Sequence, residues 1–141
     1  ATMEASRWAE DGLIFMPVHE PVRHGMHRTM FKWKVHHTLD FWLSRTPQGK
    51  PLLQYAAKAG MRDIASLQLA LEACPRHVLD RAPCVVECSC TPRAAGGTFA
   101  VRVLAVRKDK STANFERTVR LTLQNIHENI TRDELVQWCS A

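Results

Sequence analysis

The first pattern in the chain with chemical promise is Lys32-Trp33-Lys34. Side chains alternate along a strand, so the two lysines would project to one face while Phe31, Trp33 and Val35 take the other. Paired ammonium groups on one ribbon face can grip phosphate oxygens, because lysine serves phosphate as a point charge. Asp11-Gly12 lies upstream. A carboxylate at a strand start can hold a divalent cation between phosphates. A second basic group, Arg107-Lys108-Asp109-Lys110, falls where a strand ends and a helix is about to begin. Three cations around one carboxylate would suit a polyphosphate tail, with Asp109 orienting Arg107 or Lys110. By residue type alone, both patterns also read as a solvated strand face and solvated turns.

These residues need elements to position them. GLIFMPV (12–18) reads as a short buried strand ended by Pro17, and HEPVRHGMHR (19–28) as a loop. Residues 29–35 form an amphipathic strand with a cationic face. TLDFWL (38–43) follows as another strand and TPQGK (46–50) as a turn. Residues 51–58 read as a strand. The stretch 61–82 has helical composition but stays open to strand by tertiary override. CVVECSC (84–90) and TFAVRVLAVR (98–107) are strands on either side of Gly96-Gly97. Phe115, Val119, Leu123, Ile126 and Ile130 recur on one face of a helix. Thr131 to Glu134 has the spacing of a capping box before Leu135, Val136 and Trp138. Strands first and helices last predict an α+β, mostly β chain, a barrel with appended helices.

The chain has 141 residues, 45% hydrophobic and 23% charged, which excludes a disordered tail, a collagen and a coiled coil. No apolar run approaches the roughly 20 residues a bilayer span needs, so no membrane association is expected. ATMEASRWAEDG has no basic region followed by an apolar core, so it is not read as a signal peptide. The chain opens on Ala1 rather than Met, which suggests a segment of something longer. A formal net charge of +5 suits a polyanion partner such as a nucleotide or RNA, or simply a solvated basic surface. Five cysteines, an odd number, argue against a disulfide framework and for a reducing compartment. Cys84, Cys88 and Cys90 share one strand face and read as buried thiols, since their spacing matches no usual zinc pairing. The histidines at 19, 24, 27, 36 and 37 read as loop and surface residues. Trp33, Trp42 and Trp138 read as core.

Taken in order, six stretches carry a family likeness: EDGLIF (10–15), MFKWK (30–34), TLDF (38–41), VVEC (85–88), VRKDKSTAN (106–114) and NIHENITRDEL (125–135). Together they resemble the eukaryotic and viral mRNA capping guanylyltransferases. These belong to the covalent nucleotidyltransferase superfamily, with ATP-dependent DNA ligases and RNA ligases. The likeness spans residues 10–138 and implies two domains. Residues 1–46 would be the last strands of a nucleotidyltransferase domain, and 47–141 an OB-fold with helical additions. In the family a lysine of a K-x-D-G motif attacks the α-phosphate of GTP, and the resulting lysyl-GMP passes to the diphosphate end of RNA. The resemblance implies that Asp11 binds the metal, Mg²⁺ or Mn²⁺. It also implies that Lys32 and Lys34 contact the α-phosphate. Asp40, Arg107, Asp109 and Lys110 would join them around the GTP phosphates, the last three closing over the β- and γ-phosphates. Implied partners are GTP, the 5′ end of nascent RNA and, through family habit, the C-terminal domain of RNA polymerase II. The implied location is the nucleus, or the cytoplasm for a virus that replicates there.

The departures are specific. The six lysines, at 32, 34, 50, 58, 108 and 110, include none in a K-x-D-G. The nucleophile is therefore outside this segment, which would not form the covalent intermediate alone. Val101 and Ala105 stand where the family usually has Trp and a second Arg, and Ala113 where it has Pro. No cysteine pattern of an RNA triphosphatase is present. Two other readings compete: a non-catalytic OB-type module that binds nucleic acid or a protein partner, and a ligase fragment, which the KWK spelling disfavours.

Overall fold

The computed structural model describes residues 11–94 and 96–140, so Glu10 of the EDGLIF stretch lies outside the described residues. The described residues fall into two compact units, 11–36 with 131–140, and 37–130.

In the first unit, β1 (Leu13–Phe15) pairs antiparallel with β2 (Phe31–Trp33) in the register Leu13↔Trp33, Ile14↔Lys32 and Phe15↔Phe31. Both strands are shorter than their sequence patterns predict, and β1 is not buried as expected: on a two-stranded ribbon nothing covers Ile14, which is 60% exposed. The loop between them carries Pro17, Pro21 and Gly25, as expected of such residues.

In the second unit the chain runs through β3 (Thr38–Arg45), β4 (Pro51–Ala57), β5 (Gly60–Asp63), a 3₁₀ turn over Ile64–Leu67, and β6 (Leu69–Ala73). It continues through a single helical turn α1 (Arg76–Leu79), β7 (Cys84–Pro92), β8 (Phe99–Val106) and α2 (Glu116–Glu128). The six strands make one sheet in the order β5-β4-β3-β7-β8-β6. The segment 61–82, helical by composition, thus holds the end of β5 and all of β6, with only the 3₁₀ turn and the single turn α1 as helix. β6 runs parallel to β8, and that pairing overrides local propensity.

The topology forces the sheet to curl. β5 and β6 are its two edges, yet only Ile64–Gln68 separates them. Six residue steps reach at most about 20 Å, and a 3₁₀ turn shortens that. A flat six-stranded sheet would hold its edge strands about 24 Å apart. The result is a half-barrel with 37% strand against 22% helix overall, so the expectation of an α+β, mostly β fold holds.

The concave face is the core. Leu39, Phe41 and Leu43 of β3, Leu53 and Tyr55 of β4, Val86, Cys88 and Cys90 of β7, and Val101 and Val103 of β8 point inward. α2 covers this face with Val119 and Leu123, both on the helical stripe read from the sequence. Cys88 and Cys90 are buried thiols, as expected, and Cys84 is half-buried at the rim. Burial pushes the Cys90 thiol up to about 12 and Cys88 higher still, so both stay protonated.

Downstream, α3 (Arg132–Cys139) opens on the expected capping box. Thr131 accepts from the Glu134 amide and Glu134 accepts from the Thr131 amide. The expectation for Trp138 is overturned, since it is 58% exposed. The helix has only eight residues and none of them is buried. Trp33 and Trp42 are half-buried rather than core. Among the described residues, no helix is long and apolar enough to cross a membrane.

Candidate functional site

Two ion clusters gather every site residue read from the sequence, one cluster in each unit. The first is built on the β1–β2 ribbon. Lys32 Nζ donates to Asp11 Oδ2 at 2.8 Å, and Lys34 Nζ reaches the same oxygen at 3.2 Å. The two lysines therefore share a face, as the period-two reading requires, and their charges meet at one point. Gly12 makes this possible. Its φ is +150°, and a Cβ there would stand 2.0 Å from the carbonyl oxygen of Trp33. Only glycine lets the chain before β1 lie this close to β2 and bring Asp11 beside both ammonium groups. Those groups, Lys32 first, hold the Asp11 carboxyl below the ordinary carboxylate range. The cluster is solvent-facing, with Asp11 68% exposed.

The second cluster is built on the sheet and its centre is Asp40, 4% exposed. Arg107 Nη1 donates to Asp40 Oδ1 at 3.2 Å, and Lys110 Nζ pairs with Asp40 Oδ2. Arg107 turns its other edge to Asp109 in a bidentate pair, Nε to Oδ1 at 3.1 Å and Nη2 to Oδ2 at 3.0 Å. That pairing, with help from the backbone, lowers the Asp109 carboxyl to about 2.

A bulge puts Arg107 on the correct face. Val101 and Val103 point inward at odd positions, so strict alternation would send Arg107 inward as well. Between Glu87 and Cys88 the register shifts: Cys88 pairs with Val103, but Glu87 pairs with Ala105. Leu104 is left over and 49% exposed, and Val106 becomes the inward residue. Arg107 is thereby switched to the outer face, where Asp40 lies across from Glu87.

Asn114 closes the arrangement, and the sequence reading missed its role. Where β3 and β4 diverge, it bridges them. Its Oδ1 accepts from the Asp40 amide at 2.7 Å and its amide donates to the Asp40 carbonyl at 2.7 Å. Its carbonyl accepts from the Ala56 amide at 3.0 Å. The only sequence signal was a short polar side chain just before a helix, which reads as a cap. No cap bond forms there, for Phe115 is the N-cap residue of α2 and offers no side-chain acceptor.

The fold changes the charge tally of this corner. The sequence shows three cations around Asp109; the structure adds the buried Asp40, giving two ion-paired cations and two carboxylates. Lys108 has no ion-pair partner among the described residues and is the surplus charge. Asp40 is itself buried and its carboxylate is taken up by Arg107 and Lys110. Arg107 donates from Nε, Nη1 and Nη2 to the Asp40 and Asp109 carboxylates, leaving at most two of its roughly five N–H donors unengaged. Of the positions that depart from the resembled family, Val101 is in the core, Ala105 is exposed beside the corner and Ala113 is half-buried.

Among the described residues, no group of three or more His, Cys, Asp or Glu could hold a metal ion. Asp11 offers a single carboxylate, enough for a cation whose remaining ligands are phosphate oxygens and water. No family model matches the chain.

Proposed function

We propose that this chain is the C-terminal part of an mRNA capping guanylyltransferase, contributing phosphate-binding groups to the transfer of GMP from GTP to the 5′-diphosphate end of RNA. The observation that carries the reading is the convergence of Lys32 and Lys34 on one oxygen of Asp11. Two ammonium groups aimed at a single acceptor define a position for one anionic oxygen, and an α-phosphate oxygen has the charge and size to take it. In that role the lysines stabilise charge on the transferring group, which is most of what phosphoryl-type transfer asks of a protein. Asp11, released from them, would hold Mg²⁺ or Mn²⁺, which supplies neutralising charge on the phosphates. On a C-terminal OB-fold, Arg107 and Lys110, held by Asp40 and Asp109, would serve the β- and γ-phosphates. None of the six lysines stands in a K-x-D-G, so on this reading the attacking lysine would come from elsewhere in the enzyme.

The test is to incubate the polypeptide from the whole reading frame with labelled GTP or ATP. A GTP-derived adduct that Lys34→Ala abolishes, with the fold intact, supports the proposal. Undiminished adduct in that variant removes its main support, and labelling by ATP alone points to a ligase. Arg107→Ala is expected to impair adduct formation more than later transfer to RNA. A second reading, a non-catalytic nucleic-acid or partner-binding module, draws on one observation. Lys32, Lys34, Arg107 and Lys110 are all already engaged by carboxylates. No adduct with either nucleotide would favour it.

A further inference from the structure

We propose that a groove between the β7–β8 hairpin and the C-terminal half of α2 binds one nucleotide unit of a single-stranded nucleic acid. The base would lie against Phe99 and the phosphate on Arg93 and His127. This goes beyond the guanylyltransferase reading and does not rest on it. The groove has a volume of about 520 Å³, within the range of small-ligand sites. Its floor is apolar, formed by Phe99 and Leu123, and Arg93, Gln124 and His127 stand around it.

Three observations point to this occupant. First, no acid lines the groove. Second, the side chains of Arg93 and His127 have no ion-pair or hydrogen-bond partner among the described residues. In the same unit Arg45, Arg107, Lys110 and Arg120 are ion-paired, while Lys108, like Arg93, has no ion-pair partner among the described residues. Third, residues 37–130 hold 13 Lys and Arg against 8 Asp and Glu, so the whole formal net charge of +5 falls in this unit. A half-buried aromatic ring beside an unpaired guanidinium, on a basic unit, complements a stacking base and its phosphate. Every base has a face to stack, and the backbone charge suits Arg93. A duplex offers no free base face, so the site selects single strands.

The test is fluorescence anisotropy of short labelled RNA and DNA single strands and a duplex control, titrated with the whole chain at several salt concentrations. Arg93→Ala is expected to weaken single-strand binding and to lower the slope of log K against log salt by about 0.7. Phe99→Leu keeps the apolar volume but removes the ring, and is expected to weaken binding roughly fivefold or more. Arg62→Ala, on β5, is the cationic control and should change little. Either strand type showing this pattern supports the site, and the tighter one names its source. Unchanged affinity and salt slope in Arg93→Ala, equal loss in Arg62→Ala, or duplex binding as tight as single-strand binding would each overturn the proposal. Should Phe99→Leu alter the circular dichroism, the Arg93→Ala and Arg62→Ala pair decides alone.

Discussion

The ribbon and the sheet each hold a carboxylate between two cations, yet the two clusters are physically unlike. Asp11 is 68% exposed and stands before a strand of three residues. Asp40 is 4% exposed on the eight-residue β3, flanked by β7 and by the Asn114 bridge. Water competes with Lys32 and Lys34 for Asp11, and salt screens the pair. Around Asp40 water is largely excluded, so the carboxylate depends on Arg107 and Lys110 for its solvation. The difference teaches what each cluster is suited to. The ribbon's cations are loosely held and can exchange their carboxylate for another anion. The sheet's cations are anchored, and their unspent donors point where the fold directs them.

The sharpest way to break this contrast is Asp40→Asn. The change keeps the shape and removes the charge. Breaking a fully buried pair costs roughly 3–5 kcal/mol. Here Arg107 and Lys110 are 27% and 39% exposed and can recover some hydration, so a loss of about 2 kcal/mol is expected. Urea unfolding checks it, and an unchanged midpoint would remove the distinction between the clusters. Next comes Asn114→Ala. The backbone bonds to Asp40 and Ala56 survive, but the Asp40 amide loses its acceptor in a half-buried position. About 1–2 kcal/mol should be lost, with faster amide exchange at Asp40. Protection at Asp40 equal to wild type would show that Asn114 does not stitch β3 to the corner.

The same contrast explains what the sequence disclosed. Period-two alternation placed Lys32 and Lys34 together, because on a short ribbon nothing interrupts it. The heptad-like stripe found α2, and the Thr131–Glu134 spacing found the cap of α3, since both signals are local. The Asp40–Arg107–Lys110 cluster joins residues 67 and 70 positions apart and depends on the extra residue at Leu104. A bulge leaves no mark on composition, so TFAVRVLAVR reads as an unbroken strand. The segment 61–82 stays open between helix and strand for a related reason: β5 and β6 are the two edges of the sheet, specified by pairing with β4 and β8 rather than by their own residues. Arg93 and His127 stand 34 positions apart and line one groove only in the folded chain.

A smaller effect is a titration. Arg107 holds the folded Asp109 carboxyl at about 2, below the ordinary 3.8. A depressed folded value stabilises the fold above the unfolded value, and that stabilisation fades as pH falls from about 4 toward 2. Carboxyl-carbon NMR should find the Asp109 midpoint near 2, and Arg107→Ala should return it toward 3.8. A midpoint near 3.8 in the unmodified chain would mean that the bidentate pair does not persist in solution.

The smallest effect belongs to Asp11. Its pairs with Lys32 and Lys34 lie in water, where attraction, screening and the ordering of long side chains nearly cancel. Asp11→Asn should therefore leave the urea midpoint of the chain where it was, at low salt and at high. Among the described residues Asp11 is the one carboxylate that pairs with both ammonium groups, so the same change should strengthen binding of pyrophosphate at low salt while Asp40→Asn does not. A clear fall in stability on Asp11→Asn would make the ribbon cluster a structural lock like that of the sheet. It would also withdraw the feature that fits the ribbon to an exchanging phosphate, which is the ease with which its carboxylate gives way.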